Sequence, residues 1–185
     1  GNTIYYIPDI EKISQQLINQ YIKDRDIAER ITSEKEFIAN LMGRYNHPNI
    51  RTLKIVLEKF NSILWCIRNE NIPKDEKYYS TLNLIFDNIL YSMIKYKKGE
   101  QLSQWDGKCE YASIVDDFYY TVKVFRFVDD LILYSILDEE KIKKVILDYI
   151  NKVNVPLDKN DAIKRLDKYW ELEDKEVQEC IEELK

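Results

Sequence analysis

Apolar residues recur along most of this chain at alternating steps of three and four, the spacing of one buried stripe on an α-helix. The clearest run is Ile50, Leu53, Leu57, Phe60, Leu64 and Ile67, which leaves Lys54, Glu58 and Lys59 on outer faces. Ahead of it, Ile10, Ile13, Leu17 and Tyr21 follow the helix-start pair Pro8-Asp9, and Ile27 and Ile31 carry the charged stretch from Lys23 to Arg30 as a short helix. Phe37, Ile38, Leu41 and Met42 predict a helix opened by a capping box between Ser33 and Glu36 and closed by Gly43 as a left-handed cap. Asn69 to Pro73 ends the long helix. Lys74-Asp75-Glu76 opens the next, where Tyr79, Leu82, Ile85, Phe86, Ile89, Leu90, Met93 and Tyr96 make a face wide enough to be packed on several sides. Lys97-Lys98-Gly99 closes it with the charge sign that the helix dipole prefers.

The second half has less regular spacing. Glu100 to Glu110 follows Gly99 directly, holds Gly107, and reads as a loop or domain junction. The run from Phe118 to Val128 is aromatic and β-branched enough for a strand, but with no partner strand evident the expectation is helix. Asp138 caps a helix to Asn151 with Ile142, Val145, Ile146 and Tyr149 on one side, and two short amphipathic helices are predicted over Lys159–Trp170 and Asp174–Leu184. Together these spacings predict an all-α fold, a helical bundle of roughly seven or eight helices in two subdomains, 1–98 and 99–185.

Composition agrees with a folded helical chain. Four glycines and four prolines in 185 residues leave few breakers, and 45% hydrophobic with 33% charged residues argues against disorder. A net charge of −5 argues against a surface that coats nucleic acid, though a local basic patch stays open. Three widely spaced cysteines, Cys66, Cys109 and Cys180, form no Cys-x-x-Cys pair, and with one histidine no zinc set is expected. No stretch predicts a membrane span or a leader peptide, so a cytoplasmic protein is expected, and a first residue of Gly1 rather than Met suggests a piece of a longer one.

Candidate chemistry gathers at one corner, Asn46-His47-Pro48-Asn49-Ile50-Arg51-Thr52-Leu53-Lys54. Asn49 is a good N-cap, since its side-chain oxygen can accept from the amides of Arg51 or Thr52. Arg51 adds a full positive charge to the positive end of the dipole, and His47 stands beside it, a combination that attracts phosphate.

A turn followed by Asn-Ile-Arg-Thr-Leu-Lys and an amphipathic helix resembles, over Phe37 to Ile67, the helical lid that follows the nucleotide-binding core in AAA+ and STAND-type P-loop NTPases, the KAP-like group included. The resemblance implies that Arg51 reaches nucleotide phosphates in the manner of a sensor 2 arginine, with Asn49 and His47 supporting it. It implies as partner an NTPase core of the same longer chain, or else a protein effector. The chain itself has no Gly-x-x-x-x-Gly-Lys-Ser/Thr loop, and Gly107-Lys108-Cys109 lacks both the earlier glycine and the magnesium-binding hydroxyl. No cofactor is expected in this chain alone; ATP and Mg are implied only if it is joined to such a core.

Other constellations weigh less. Asp116-Asp117 and Asp129-Asp130 are expected to be solvated faces or caps, because neighbours on a helix diverge by about 100°. Tyr119, Tyr120, Phe125, Phe127 and Trp170 are expected in the core rather than stacked on bases. The Arg-to-His spacing of HEPN-type ribonucleases is missing, Arg44 being too near His47 and Arg30 too far. Two alternatives to the lid stay in play. The pair Ser33–Met42 and Asn49–Ile67 could be a DNA-binding helix-turn-helix presenting Arg51, Thr52 and Lys54, disfavoured by the acidic total, or the whole could be a protein-interaction module.

Overall fold

The structure, a computed structural model, describes residues 9–107, 109–116, 118 and 121–152. In chain order it runs α1 (Ile10–Tyr21), α2 (Arg25–Ser33), α3 (Lys35–Arg44), α4 (Ile50–Ile67), α5 (Glu76–Lys97), β1 (Tyr111–Val115), β2 (Thr121–Phe125), α6 (Arg126–Leu133) and α7 (Glu139–Lys152). The fold is therefore mostly helical but not purely so. The predicted helices over Lys159–Trp170 and Asp174–Leu184 lie outside the described residues. The chain divides into two compact units, Gly1–Leu147 and Asp148–Lys185, and residues 100–110 lie within the first.

Helix α5 is the axis of the first unit. It packs on α4, α2, α3, α6 and β2, and every residue from Asn88 to Ile94 is buried, as expected of a helix with neighbours all round. Phe86 on α5 meets Phe60 on α4 edge to face, with ring centroids 5.4 Å apart. On α4 the buried set is Thr52, Leu53, Val56, Leu57, Phe60, Ile63, Cys66 and Ile67, while Ile50 and Leu64 sit half-buried at its margin. The stripe is centred slightly to one side of the predicted one because α4 also packs on α1.

Helix starts follow local chemistry. Asp9, Asp24, Asn49 and Asp75 each accept from amides of the first turn. The predicted capping box at Ser33 does not form: Ser33 ends α2 and its hydroxyl donates back to the Arg30 carbonyl at 2.6 Å, while Glu34 precedes α3 without a side-chain cap. Gly43 is also not the left-handed residue. Helix α3 continues to Arg44, and Asn46 takes φ 49°, with His47 N–H donating to Met42 at 2.8 Å and Asn46 N–H to Gly43 at 2.9 Å. That is a Schellman closure with asparagine at the αL position. Gly99 does the same for α5 at φ 74°, as its sequence suggested, with Glu100 N–H donating to Lys95.

The main correction is at 118–128, where a helix was expected. Thr121–Phe125 is a strand, paired antiparallel with Tyr111–Val115 from Tyr111 opposite Phe125 to Val115 opposite Thr121, and α6 starts at the very next residue. Val122 and Val124 alternate into the core, and β-branched side chains suit that pleated surface. What holds the pair is partly remote: Asn88 Oδ1, in the middle of α5, accepts the Phe125 N–H at 2.8 Å.

Candidate functional site

The corner predicted from sequence is built by the α3 closure and the α4 start. Asn49 sits in extended backbone and its Oδ1 accepts from Arg51 N–H at 2.9 Å and Thr52 N–H at 3.4 Å. Two amides that an anion could have used are thus already taken, so recognition here falls to side chains. Arg51 is exposed, and its guanidinium has no ion pair or hydrogen bond among the described residues. His47 is half-buried, with Nε2 2.8 Å from the hydroxyl of Thr52, which is only 2% exposed. Its proton affinity is lowered below that of an ordinary imidazole, first by burial and then by the charges of Lys97 and Lys98. His47 therefore marks a meeting of the α4 start with the basic end of α5. Lys98 pairs with Glu100 at 2.7 Å and stands 5.2 Å from the Tyr45 ring centre, while Lys97 is exposed.

Asn49, Arg51 and His47 are thus neighbours, as their sequence positions require. Lys97 and Lys98 join them only through the fold. Their sequence signal was that of a helix end, which says nothing of what lies beside it.

Of the acidic pairs, expected as solvated faces or caps, Asp116 and Asp129 are instead buried acceptors. Asp116 is buried and accepts from the Tyr45 hydroxyl and from the Phe118 N–H, both at 2.9 Å. Burial and that carboxylate drive the Tyr45 proton affinity up. Asp129, 2% exposed, accepts from Trp105 Nε1–H at 2.8 Å and from Ser92 Oγ–H at 3.3 Å. Ser92 in turn accepts from Asn88 Nδ2–H at 3.0 Å, the same side chain that holds Phe125. Burial pushes the Asp129 carboxyl up to about 6 against the opposing effect of those donors. A hydroxyl beside a perturbed carboxylate has the form of a nucleophile and its base. Ser92 is 1% exposed, however, so no substrate reaches it, and the four residues join α5, the hairpin, α6 and the 100–110 loop instead. Of Asp117, Tyr119, Tyr120 and Trp170, also singled out from the sequence, none is among the described residues, while Phe125 and Phe127 are in the core as expected.

A further buried carboxyl stands on the other side of α5. Asp87 Oδ1 is covered and unpaired, as are Asn83 Oδ1 one turn earlier and Thr32 Oγ1. Burial, reinforced by the Glu34 charge, raises the Asp87 carboxyl to about 8. Part of the residue still touches solvent, but the covered oxygen dominates its charging cost.

A cavity of about 410 Å³ opens where α1, α2, the end of α4 and the start of α5 meet, walled by Tyr21, Ile27, Leu64, Trp65 and Tyr78. Trp65 is 61% exposed and the Arg68 guanidinium stacks 3.6 Å from its ring centre. The cations on its rim are engaged, Lys74 with Asp24 at 2.9 Å and Arg68 with Glu139 at 3.8 Å. No group of three or more metal-ligating side chains converges among the described residues, and no described helix is long and apolar enough to cross a membrane. No protein-family model matches the chain, nor does any curated protein or solved structure.

Proposed function

We propose that the chain is a non-catalytic helical module of the kind that forms the lid of P-loop ATPases, coupling nucleotide state in a core outside it to an effector. Arg51 is the phosphate-reading residue, with Asn49 ordering the turn that carries it, His47 holding Thr52 beside it, and Lys97 and Lys98 adding positive charge nearby. The observation that carries the reading is an exposed arginine in the first turn of α4 with no carboxylate partner among the described residues. A guanidinium left free at low structural cost is available for a bidentate phosphate contact. ATP and Mg belong to the core. The test is ATP hydrolysis by the whole polypeptide that carries the P-loop: Arg51→Ala should slow it by about 10- to 100-fold, the loss of one charge-assisted contact. An unchanged rate with unchanged nucleotide affinity rejects the role.

A second reading, a protein-interaction module, draws on a different observation. Leu133, Tyr134, Ile136 and Leu137 are 41%, 67%, 53% and 42% exposed, a run of apolar surface of the kind found at interfaces. The helix-turn-helix alternative is weakened at Thr52, which is buried against His47 and cannot reach a base edge. A gel shift on generic duplex at low salt checks it, and no shift is expected.

A further inference from the structure

The two-stranded sheet has one edge covered and one open, and the hydrogen-bond phase identifies the groups involved. Arg126 N–H donates to the Glu110 carbonyl at 2.9 Å, just outside the ladder that pairs Tyr111 with Phe125. Bonded and non-bonded pairs alternate in an antiparallel ladder, so Ala112 bonds to Val124 and Ile114 to Val122. Tyr111, Ser113 and Val115 consequently turn their N–H and C=O groups outward. The same phase turns Phe125 outward on β2, and there Asn88 Oδ1 takes its N–H. On β1 the Tyr111 carbonyl accepts the Cys109 thiol at 2.9 Å. The backbone groups of Ser113 and Val115 have no such partner among the described residues; Ser113 is exposed and Val115 is 65% exposed.

The usual protections of an edge strand are missing from β1. Tyr111-Ala112-Ser113-Ile114-Val115 contains no proline, no lysine and no charge. Outward backbone donors and acceptors at strand spacing, otherwise left to water, are a template for another strand. We propose that this strand is β1 of a second copy, paired antiparallel about a two-fold axis through Ile114 to make a four-stranded sheet across the dimer. In that register Ser113 of each copy exchanges both backbone bonds with Val115 of the other, Ile114 faces its own copy, and Ala112 faces Asp116. Centring the pair on Ser113 instead would set Glu110 against the other copy's Asp116, two carboxylates face to face, and charge selects against it. An isologous pairing of this kind is self-complementary and closes at two copies.

Sedimentation velocity over a range of concentrations tests the proposal, together with amide hydrogen exchange. A concentration-dependent dimer is expected, with Ser113 and Val115 amides exchanging more slowly as it forms. Ser113→Pro removes an outward N–H that the hairpin does not use, and Val115→Lys places a charge on the edge. Each should weaken the dimer by about tenfold or more while leaving the monomer's circular dichroism unchanged. A monomer at every concentration overturns the proposal, and so does a dimer that both variants leave intact. If Ser113→Pro disrupts the hairpin, Val115→Lys and the exchange of the two wild-type amides decide.

Discussion

Asn49 and Ser33 are the same kind of residue in the same kind of place by sequence, yet only one caps a helix. Asn49 reaches two amides because Pro48 and the turn before it hold it in extended backbone at φ −117°. Ser33 is still inside α2 and turns its hydroxyl back to Arg30. Asn49→Ala should therefore destabilise the fold by about 1 kcal/mol in urea denaturation. Ser33→Ala should stay within about 0.5 kcal/mol, the range of an ordinary surface change. Equal losses would mean that the capping box forms after all. The corner was legible because a cap is a local device: three residues and one turn contain all the atoms involved. The neighbours of His47 were not, since Lys97 and Lys98 lie fifty residues along the chain.

At the scale of elements, one asparagine decides how the second half folds. Nothing in the 118–128 run distinguishes strand from helix, and its partner, Tyr111–Val115, shows no strong pattern of its own. Asn88 supplies what local sequence lacks. Its carbonyl oxygen satisfies the Phe125 N–H at the covered edge of β2, and its amide continues through Ser92 to Asp129. A polar residue inside an apolar helix face was the available signal, since buried polar groups need partners. Asn88→Leu should leave the Phe125 donor and part of the network unmet, costing about 2–4 kcal/mol, one to two unsatisfied buried groups. The loss should appear first as faster amide exchange across β1 and β2 with α1 and α4 still protected. Uniform loss of protection would show that the hairpin and the helices unfold as one.

For the whole molecule, buried carboxyls make stability depend on pH. Asp87 is raised to about 8 and Asp129 to about 6, against about 4 for a solvated aspartate. Between these values the folded chain binds more protons than the unfolded one, so stability falls as pH rises. The contribution is complete below about pH 4, and that of Asp129 is lost through about pH 6 and that of Asp87 through about pH 8. His47 acts in the opposite sense: its lowered affinity removes stability as pH falls below the ordinary imidazole range. Urea midpoints should therefore decline from about pH 6 to 8. Asp87→Asn should flatten that decline, and an unchanged slope would show that Asp87 is not its source.

The sequence by itself determined where α1, α4, α5 and α7 start, which helix faces are apolar and where α5 stops, because caps and stripes act over one or two turns and need no distant partner. The Asn49 cap belongs to that class. Only the tertiary structure decided that Thr121–Phe125 is a strand, that Asp116 and Asp129 are buried acceptors, and that Lys97 and Lys98 stand near His47. Phe125 is held by Asn88 37 residues away, Asp116 by Tyr45 71 away and Asp129 by Trp105 24 away, and a hydrogen bond or a charge acts across space without regard to that separation.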